Sequence, residues 1–176
     1  LICHPRGKKS EAVVGDRVLW QPTLEGSGEG LIVQVEERRN LLYRQDEWRS
    51  KSFAANVDQL LVLVAVEPVF SESLLSRALI AAAEAGIEAR IALNKTDLPG
   101  VDAARQRLAV YTAMGVEVME LALKREPEVS LARLKPWLQG ATTLVLGPSG
   151  TGKSTLTNLL VPDARAQVGE ISVALN

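Results

Sequence analysis

Cysteine, histidine and aromatic residues are scarce in this chain. Its 176 residues hold one cysteine, Cys3, and one histidine, His4. A lone cysteine excludes a disulfide within the chain and fits a reducing compartment. Aromatics make up 4% of residues, against 47% hydrophobic overall, so the core must be mainly aliphatic. No apolar run reaches the roughly eighteen residues of a membrane-spanning helix, and no signal-peptide pattern is visible. A soluble cytoplasmic protein is expected, with no membrane partner. Neither charge sign is in excess: 20 Lys and Arg face 21 Asp and Glu, for a net charge of -1. The total charge therefore demands no nucleic-acid partner, although local basic clusters could bind one. There is no repeat and no low-complexity tract. Leu1 is not a natural start residue and Asn176 follows no closing helix, so both ends are expected to be incomplete.

The chain contains two kinds of pattern. Residues 1–53 read as short strands with turns: Arg17 to Trp20, Leu31 to Val35 after the flexible Glu25–Gly30 turn, and Leu41 to Arg44. Short strands at this spacing predict a small β-barrel. From Ala54 the pattern changes. Leu60 to Val66 is a continuous apolar run, as in a strand buried on both faces. Ser71 to Ala85 reads as a helix with Ser71 as N-cap and Gly86 as stop. Ile87 to Leu93 is a second buried strand, Val101 to Met114 a helix ended by Gly115, and Val116 to Leu121 a third strand. Val129 to Leu138 is a helix with Ser130 near its start, and Thr142 to Leu146 is a fourth strand. Strict alternation predicts an open parallel sheet with helices on both faces. Such sheets bind ligands beyond the carboxyl ends of their strands.

Two motifs fall at those ends. Gly147-Pro148-Ser149-Gly150-Thr151-Gly152-Lys153-Ser154-Thr155 fits the phosphate-binding loop G-x-x-x-x-G-K-[ST]. It stands between the fourth strand and a helix-like run, Thr155 to Leu160. Glycines let the backbone wrap an anion, and the helix N-terminus favours it. Lys153 would bridge the β- and γ-phosphates, and Ser154 would place its hydroxyl on Mg²⁺. Earlier in the chain, Asn94-Lys95-Thr96-Asp97 matches the guanine-reading pattern N-K-x-D. The Asp97 carboxylate can accept from guanine N1–H and the 2-amino group, which adenine does not present together. Asn94 can approach the O6/N7 edge or tie the two loops, and the Lys95 stem can lie over the base. A blander reading makes this a polar loop with Asp97 capping the next helix. In ordinary GTPases the tetrad follows the phosphate loop; here it precedes it, as in a permuted GTPase.

Other residues speak more weakly. His4 reads as a surface residue. Trp20, Trp48 and Trp137 read as core, with a platform role as the alternative. Lys8-Lys9, Arg38-Arg39, and Arg49 with Lys51 are basic pairs, equally readable as solvated surface or RNA contacts.

Beyond the two nucleotide motifs, the chain resembles the ribosome small-subunit-dependent GTPase A family (RsgA, also called YjeQ), which are circularly permuted bacterial GTPases. The resemblance rests on Arg6-Gly7-Lys8, Val14-Gly15-Asp16-Arg17-Val18, Arg38-Arg39-Asn40 with Tyr43-Arg44, and Ala54-Ala55-Asn56-Val57-Asp58-Gln59. It also rests on Asn94 to Asp97, Gly147 to Thr155, and Gly169-Glu170-Ile171-Ser172. It implies an OB-fold-like barrel over 1–53, contacting ribosomal RNA, followed by a permuted α/β P-loop GTPase domain over 54–176. It also implies a C-terminal zinc domain and GTP hydrolysis stimulated by the small ribosomal subunit, late in that subunit's maturation and alongside other assembly factors. GTP or GDP with Mg²⁺ would be the cofactor set, and a monomer is expected. Three departures stand out. The Thr-rich switch I and the Asp-x-x-Gly switch II would follow Asn176. Zn²⁺ has no ligand cluster here, given one cysteine and one histidine. The loop that usually carries Ser-Ala reads Leu121-Ala122-Leu123, leaving a guanine contact from Ala122 open. Reordered, the chain would supply strands one, four, five and six of a Ras-like sheet. Two rival readings remain: an adenine-nucleotide ATPase or kinase on the same loop, and a non-catalytic RNA-binding module that responds to nucleotide.

Overall fold

A computed structural model of the chain describes residues 2–5, 12–24, 28–46, 49–161 and 163, without the side chains of 44–51. Arg6 to Lys9, Trp48 and the Gly169–Ser172 segment lie outside them, as do the side chains of Arg49 and Lys51. The chain divides into two compact units, Leu1–Val57 and Asp58–Asn176.

In the first unit, β1 (Ile2–Pro5), β2 (Val18–Pro22) and β3 (Glu29–Val35) form a three-stranded sheet in the order β1-β3-β2. The β1/β3 pair is parallel and the β2/β3 pair antiparallel. β4 (Leu41–Asp46) and β5 (Arg49–Ala55) form an antiparallel hairpin. A bridge between Val14 and Ala54 links that hairpin to the segment before β2. The small, mixed β architecture is OB-like. β5 escaped the sequence reading because Arg-Ser-Lys-Ser-Phe lacks a clean apolar alternation, and it runs across the expected 53/54 boundary to Ala55. Bulges at Leu19/Trp20 and Leu42/Tyr43 interrupt the pairing registers. Trp20 is 45% exposed, contrary to its core reading, and His4 is exposed on β1.

The family-matching residues of this unit form one hydrogen-bonded knot. The Asp16 carboxylate is buried and accepts two bonds from the Arg38 guanidinium, both 2.8 Å, plus Val13 N–H at 2.8 Å. Asn40 pairs both ends of its amide with the Val57 backbone, at 2.8 and 2.9 Å. Asn56, in a left-handed conformation, accepts from Arg39 N–H and donates to Gly15 O. The hydrogen bonds from Arg38 hold the Asp16 carboxyl below the usual carboxylate range. A depressed pKa stabilises the fold above the unfolded carboxyl value, about 3.9, and that contribution is lost as pH falls through the folded value. Asp16→Asn is therefore expected to lower stability near neutral pH and to flatten the acid-dependent loss below about pH 4. Urea unfolding of both proteins across that range checks it; parallel pH profiles would contradict it.

The second unit is the alternating one. β6 (Gln59–Ala65), β7 (Glu88–Asn94), β8 (Val118–Glu120) and β9 (Thr143–Leu146) make a parallel sheet in the order β8-β7-β6-β9. That is the order in which the sixth, fifth, fourth and first strands of a Ras-like sheet would lie. Every residue of β6 is buried, as its unbroken apolar run predicts for a central strand. The helices are α1 (Glu72–Glu84), α2 (Val101–Ala113), α3 (Pro127–Leu138) and α4 (Lys153–Leu160). Ser71 caps α1 by accepting from Leu74 N–H at 3.4 Å. α3 starts two residues earlier than expected because Pro127 occupies its first turn, where a missing N–H costs nothing.

Leu61 and Leu63 of β6 and Ala92 of β7 pack with Leu134 of α3 and Leu156 of α4, together with Leu121 and Leu123. Trp137 is partly buried against this cluster, in keeping with its core reading. α1 packs on β6 and β7. α2 is joined to α1 through Arg107, which stacks on Phe70 and bonds Glu72 at 2.5 Å. No helix among the described residues is long and apolar enough to cross a membrane.

Candidate functional site

Of the four loops that leave the carboxyl ends of the parallel strands, three converge on one site. Residues 95–100 follow β7, 121–126 follow β8, and 147–152 follow β9. The predicted nucleotide motifs occupy the first and third, and buried hydrogen bonds join all three.

The phosphate loop is shaped by close approach. A Cβ on Gly147 would overlap the carbonyl oxygen of Leu63 in β6. Gly152 has φ +107°, and a Cβ there would overlap the amide nitrogen of Asn94. Alanine fits neither position, so the backbone itself forms the wall of the loop. Thr151 is fully buried, and its hydroxyl donates to Pro148 O at 3.0 Å across the turn. α4 then begins at Lys153 with no side chain capping it. The first amides of a helix lack intrahelical acceptors, so they remain available to an anion.

Lys153 folds back over this loop. Its ammonium donates to Gly147 O and Pro148 O, both at 2.7 Å. Burial lowers its pKa from the ordinary lysine value. Ser154 and Thr155 are half-buried, and their hydroxyls meet no bonding partner among the described residues. Ser149 is exposed, while Pro148 and Gly150 are half-buried.

Asn94 ends β7 and is buried. Its Nδ2 donates to Thr151 O at 2.8 Å, and its Oδ1 accepts from Leu123 N–H at 3.1 Å. Of the two roles open to Asn94 in the sequence, the structure displays the tie between loops. Lys95 follows with φ +62°, a left-handed conformation that a non-glycine residue adopts only under constraint. Thr96 donates from both its backbone N–H and its hydroxyl to Leu121 O, each at 3.1 Å. Asp97 is exposed, and no described residue bonds its carboxylate. The N-cap of α2 is Gly100, so Asp97 does not cap that helix, contrary to the blander reading.

The 121–126 turn carries the weakest sequence motif of the three loops. Ala122 N–H donates to Ser130 Oγ at 3.1 Å, so this amide is already engaged. Ser130 is buried in α3, and only its chain position near a helix start was legible. A small hydroxyl inside an apolar helix face was the available signal.

The geometry fits a phosphorylated ligand: an uncapped helix start, a glycine-walled loop, a lysine resting on that loop's own carbonyls, and an unengaged carboxylate across the same sheet edge. Among the described residues, no cluster of three or more His, Cys, Asp or Glu could hold a metal ion alone. A cation here would need ligand oxygens besides Ser154.

The sequence profile of the RsgA GTPase family matches residues 35–176. The chain is 55% identical, over its whole length, to the small ribosomal subunit biogenesis GTPase RsgA of Burkholderia pseudomallei (strain 668), covering 56% of that protein. It is 59% identical to the protein of the same name from Variovorax paradoxus (strain S110), again over its whole length and 55% of the relative. The chain thus spans little more than half the length of these relatives. Among solved structures it resembles YjeQ from Thermotoga maritima, at 30% identity and TM-score 0.65, covering 91% of this chain and 56% of the other. It also resembles YloQ, described as a circularly permuted GTPase, at 32% identity and TM-score 0.60, covering 92% and 56%.

Proposed function

The chain belongs to the RsgA GTPase family, and from that membership and the site's geometry we propose that it binds and hydrolyses GTP as a factor in small-ribosomal-subunit maturation. The observation that carries the reading is the buried Asn94 bridge. It locks a base-reading tetrad and a phosphate loop into one site at a sheet edge, in permuted order.

Asp97 reads the guanine N1–H and 2-amino donors, and its unengaged carboxylate supports that role. The stem of Lys95 covers the base. Thr96 and Asn94 hold the tetrad in place through Leu121, Leu123 and Thr151. Gly147, Pro148, Ser149, Gly150, Thr151 and Gly152 wrap the phosphates, with the first amides of α4, including those of Ser154 and Thr155, donating to their oxygens. Lys153 exchanges its two loop carbonyls for β- and γ-phosphate oxygens, which are ionised and stronger acceptors. Ser154 would hold Mg²⁺ through its hydroxyl, and the bound ion would supply charge neutralisation to the phosphates. Lys153 stabilises the charge that develops on the oxygens during attack by water.

The OB-like first unit contacts ribosomal RNA, and the protein acts in the cytoplasm with the small subunit as its partner. The relatives' name, small ribosomal subunit biogenesis GTPase, supports the small subunit as partner. Slow turnover is expected without the ribosomal partner.

The test is GTP turnover by the complete protein with and without purified small ribosomal subunits. Stimulation of at least about tenfold by small subunits, and none by large subunits, is expected. Equal rates under all three conditions would exclude the ribosomal role and favour a free-standing nucleotidase.

A further inference from the structure

In the second unit the described buried polar residues are Gln59, Asn94, Ser130 and Thr151. Gln59 lies at the amino end of β6 and bonds Trp137 O and Thr143 Oγ1. The other three belong to one connected set at the carboxyl edge. Thr151 O receives Asn94 Nδ2, Asn94 Oδ1 receives Leu123 N–H, and the neighbouring Ala122 N–H donates to Ser130 Oγ. Ser130 thus anchors the far end of the network that carries the tetrad. A serine inside a helix commonly bonds its own preceding turn. Ser130 instead accepts from a residue eight positions earlier, across the start of α3.

We infer that Ser130 is a positioning residue for base selectivity: it sets the 121–126 turn against the Asn94–Asp97 tetrad without touching the nucleotide. This rests on the guanine-nucleotide reading above. The turn is also held by Leu121 N–H on Leu93 O and by Leu123 N–H on Asn94 Oδ1, with both leucine side chains buried in the core. Glu126 N–H donates to Ala122 O at 2.7 Å, and Thr96 donates to Leu121 O. Ser130 removes the Ala122 amide from solvent and from any ligand. The Lys124 and Arg125 amides bond nothing among the described residues. Guanine presents an acceptor, O6, where adenine presents an amino donor. A fixed turn whose unengaged amides meet an acceptor rewards guanine; a loosened turn loses that preference while the phosphate loop keeps its grip.

Removing the hydroxyl leaves the buried Ala122 N–H without a partner, a loss that frees the turn to shift. Ser130→Ala is expected to weaken GDP about tenfold and to lower the GDP-to-ADP affinity ratio by a similar factor. The turnover rate at saturating GTP should change by less than about threefold, so the loss appears in KM. Ser130→Cys, close in size with a weak acceptor, should fall between the alanine variant and the wild type. It carries the test where the alanine variant does not fold. Leu75→Ala, a core truncation in α1, controls for general destabilisation and should leave the GDP-to-ADP ratio unchanged.

The experiment is calorimetric titration of the full chain and these variants with GDP and ADP in Mg²⁺, with GTP turnover measured alongside. A wild type that selects GDP, with an unchanged ratio in the Ser130 variants, overturns this inference alone. An equal fall of the ratio in Leu75→Ala also overturns it, because the effect would then be general. A wild type that binds ADP as well as GDP overturns the guanine reading itself, and this inference with it.

Discussion

Lys153→Ala is expected to lower single-turnover GTP hydrolysis by about a thousandfold or more, the scale of losing a charge-stabilising donor at a phosphoryl centre. The ammonium lies 2.7 Å from two carbonyl oxygens of its own loop, Gly147 and Pro148. Those neutral acceptors hold it where a phosphate would take it over. Its burial lowers water's competition for the same donor. Alanine leaves the glycine-walled loop and the Asn94 bridge untouched, since neither uses the lysine side chain. Nucleotide affinity should fall far less than rate. Lys153→Arg should recover little, because a planar guanidinium cannot occupy the same two-carbonyl seat as a compact ammonium. Turnover by the alanine variant within about tenfold of wild type would remove Lys153 from the chemistry.

Asp97→Asn is expected to move base preference from guanine to xanthine nucleotides. A carboxylate accepts two bonds from guanine N1–H and its amino group; an asparagine amide presents one donor in place of one acceptor. That donor matches the C2 oxygen of xanthine and faces the guanine amino group donor-to-donor. A loss of GDP affinity of about a hundredfold or more follows from leaving such groups unpaired in a reading site. The variant's fold should survive, because no described residue bonds the Asp97 carboxylate and Gly100 supplies the cap of α2. Competition between GDP and xanthosine diphosphate measures the switch. Unchanged preference for GDP would mean that the carboxylate does not face the base.

Much of the second unit was legible because its signals are local. An unbroken apolar run gave β6, a serine cap gave the start of α1, and the glycine spacing gave the phosphate loop. The bounds moved where tertiary pairing decides: β8 keeps only Val118–Glu120 of the expected Val116 to Leu121. The first unit was harder. β5 pairs through its backbone with β4, and its polar composition hides it from periodicity. Trp20 reads as core by residue type, yet it stands half exposed on β2. At the site, the tetrad and loop residues carried their own motif, but their connection did not. Asn94 joins residues 29 and 57 positions away, and Ser130 reaches back to Ala122. Such contacts are set by the crossing of strand ends, which no spacing rule encodes.

If residues 94–97 and 147–155 form one guanine-nucleotide site, equilibrium binding by the unmodified protein reads it out without any substitution. Titration with GDP and with ADP in Mg²⁺ should give GDP an advantage of at least about a hundredfold, the discrimination that a buried hydrogen-bonding mismatch supports. Equal affinities, or binding of neither nucleotide, would mean that the tetrad reads no base.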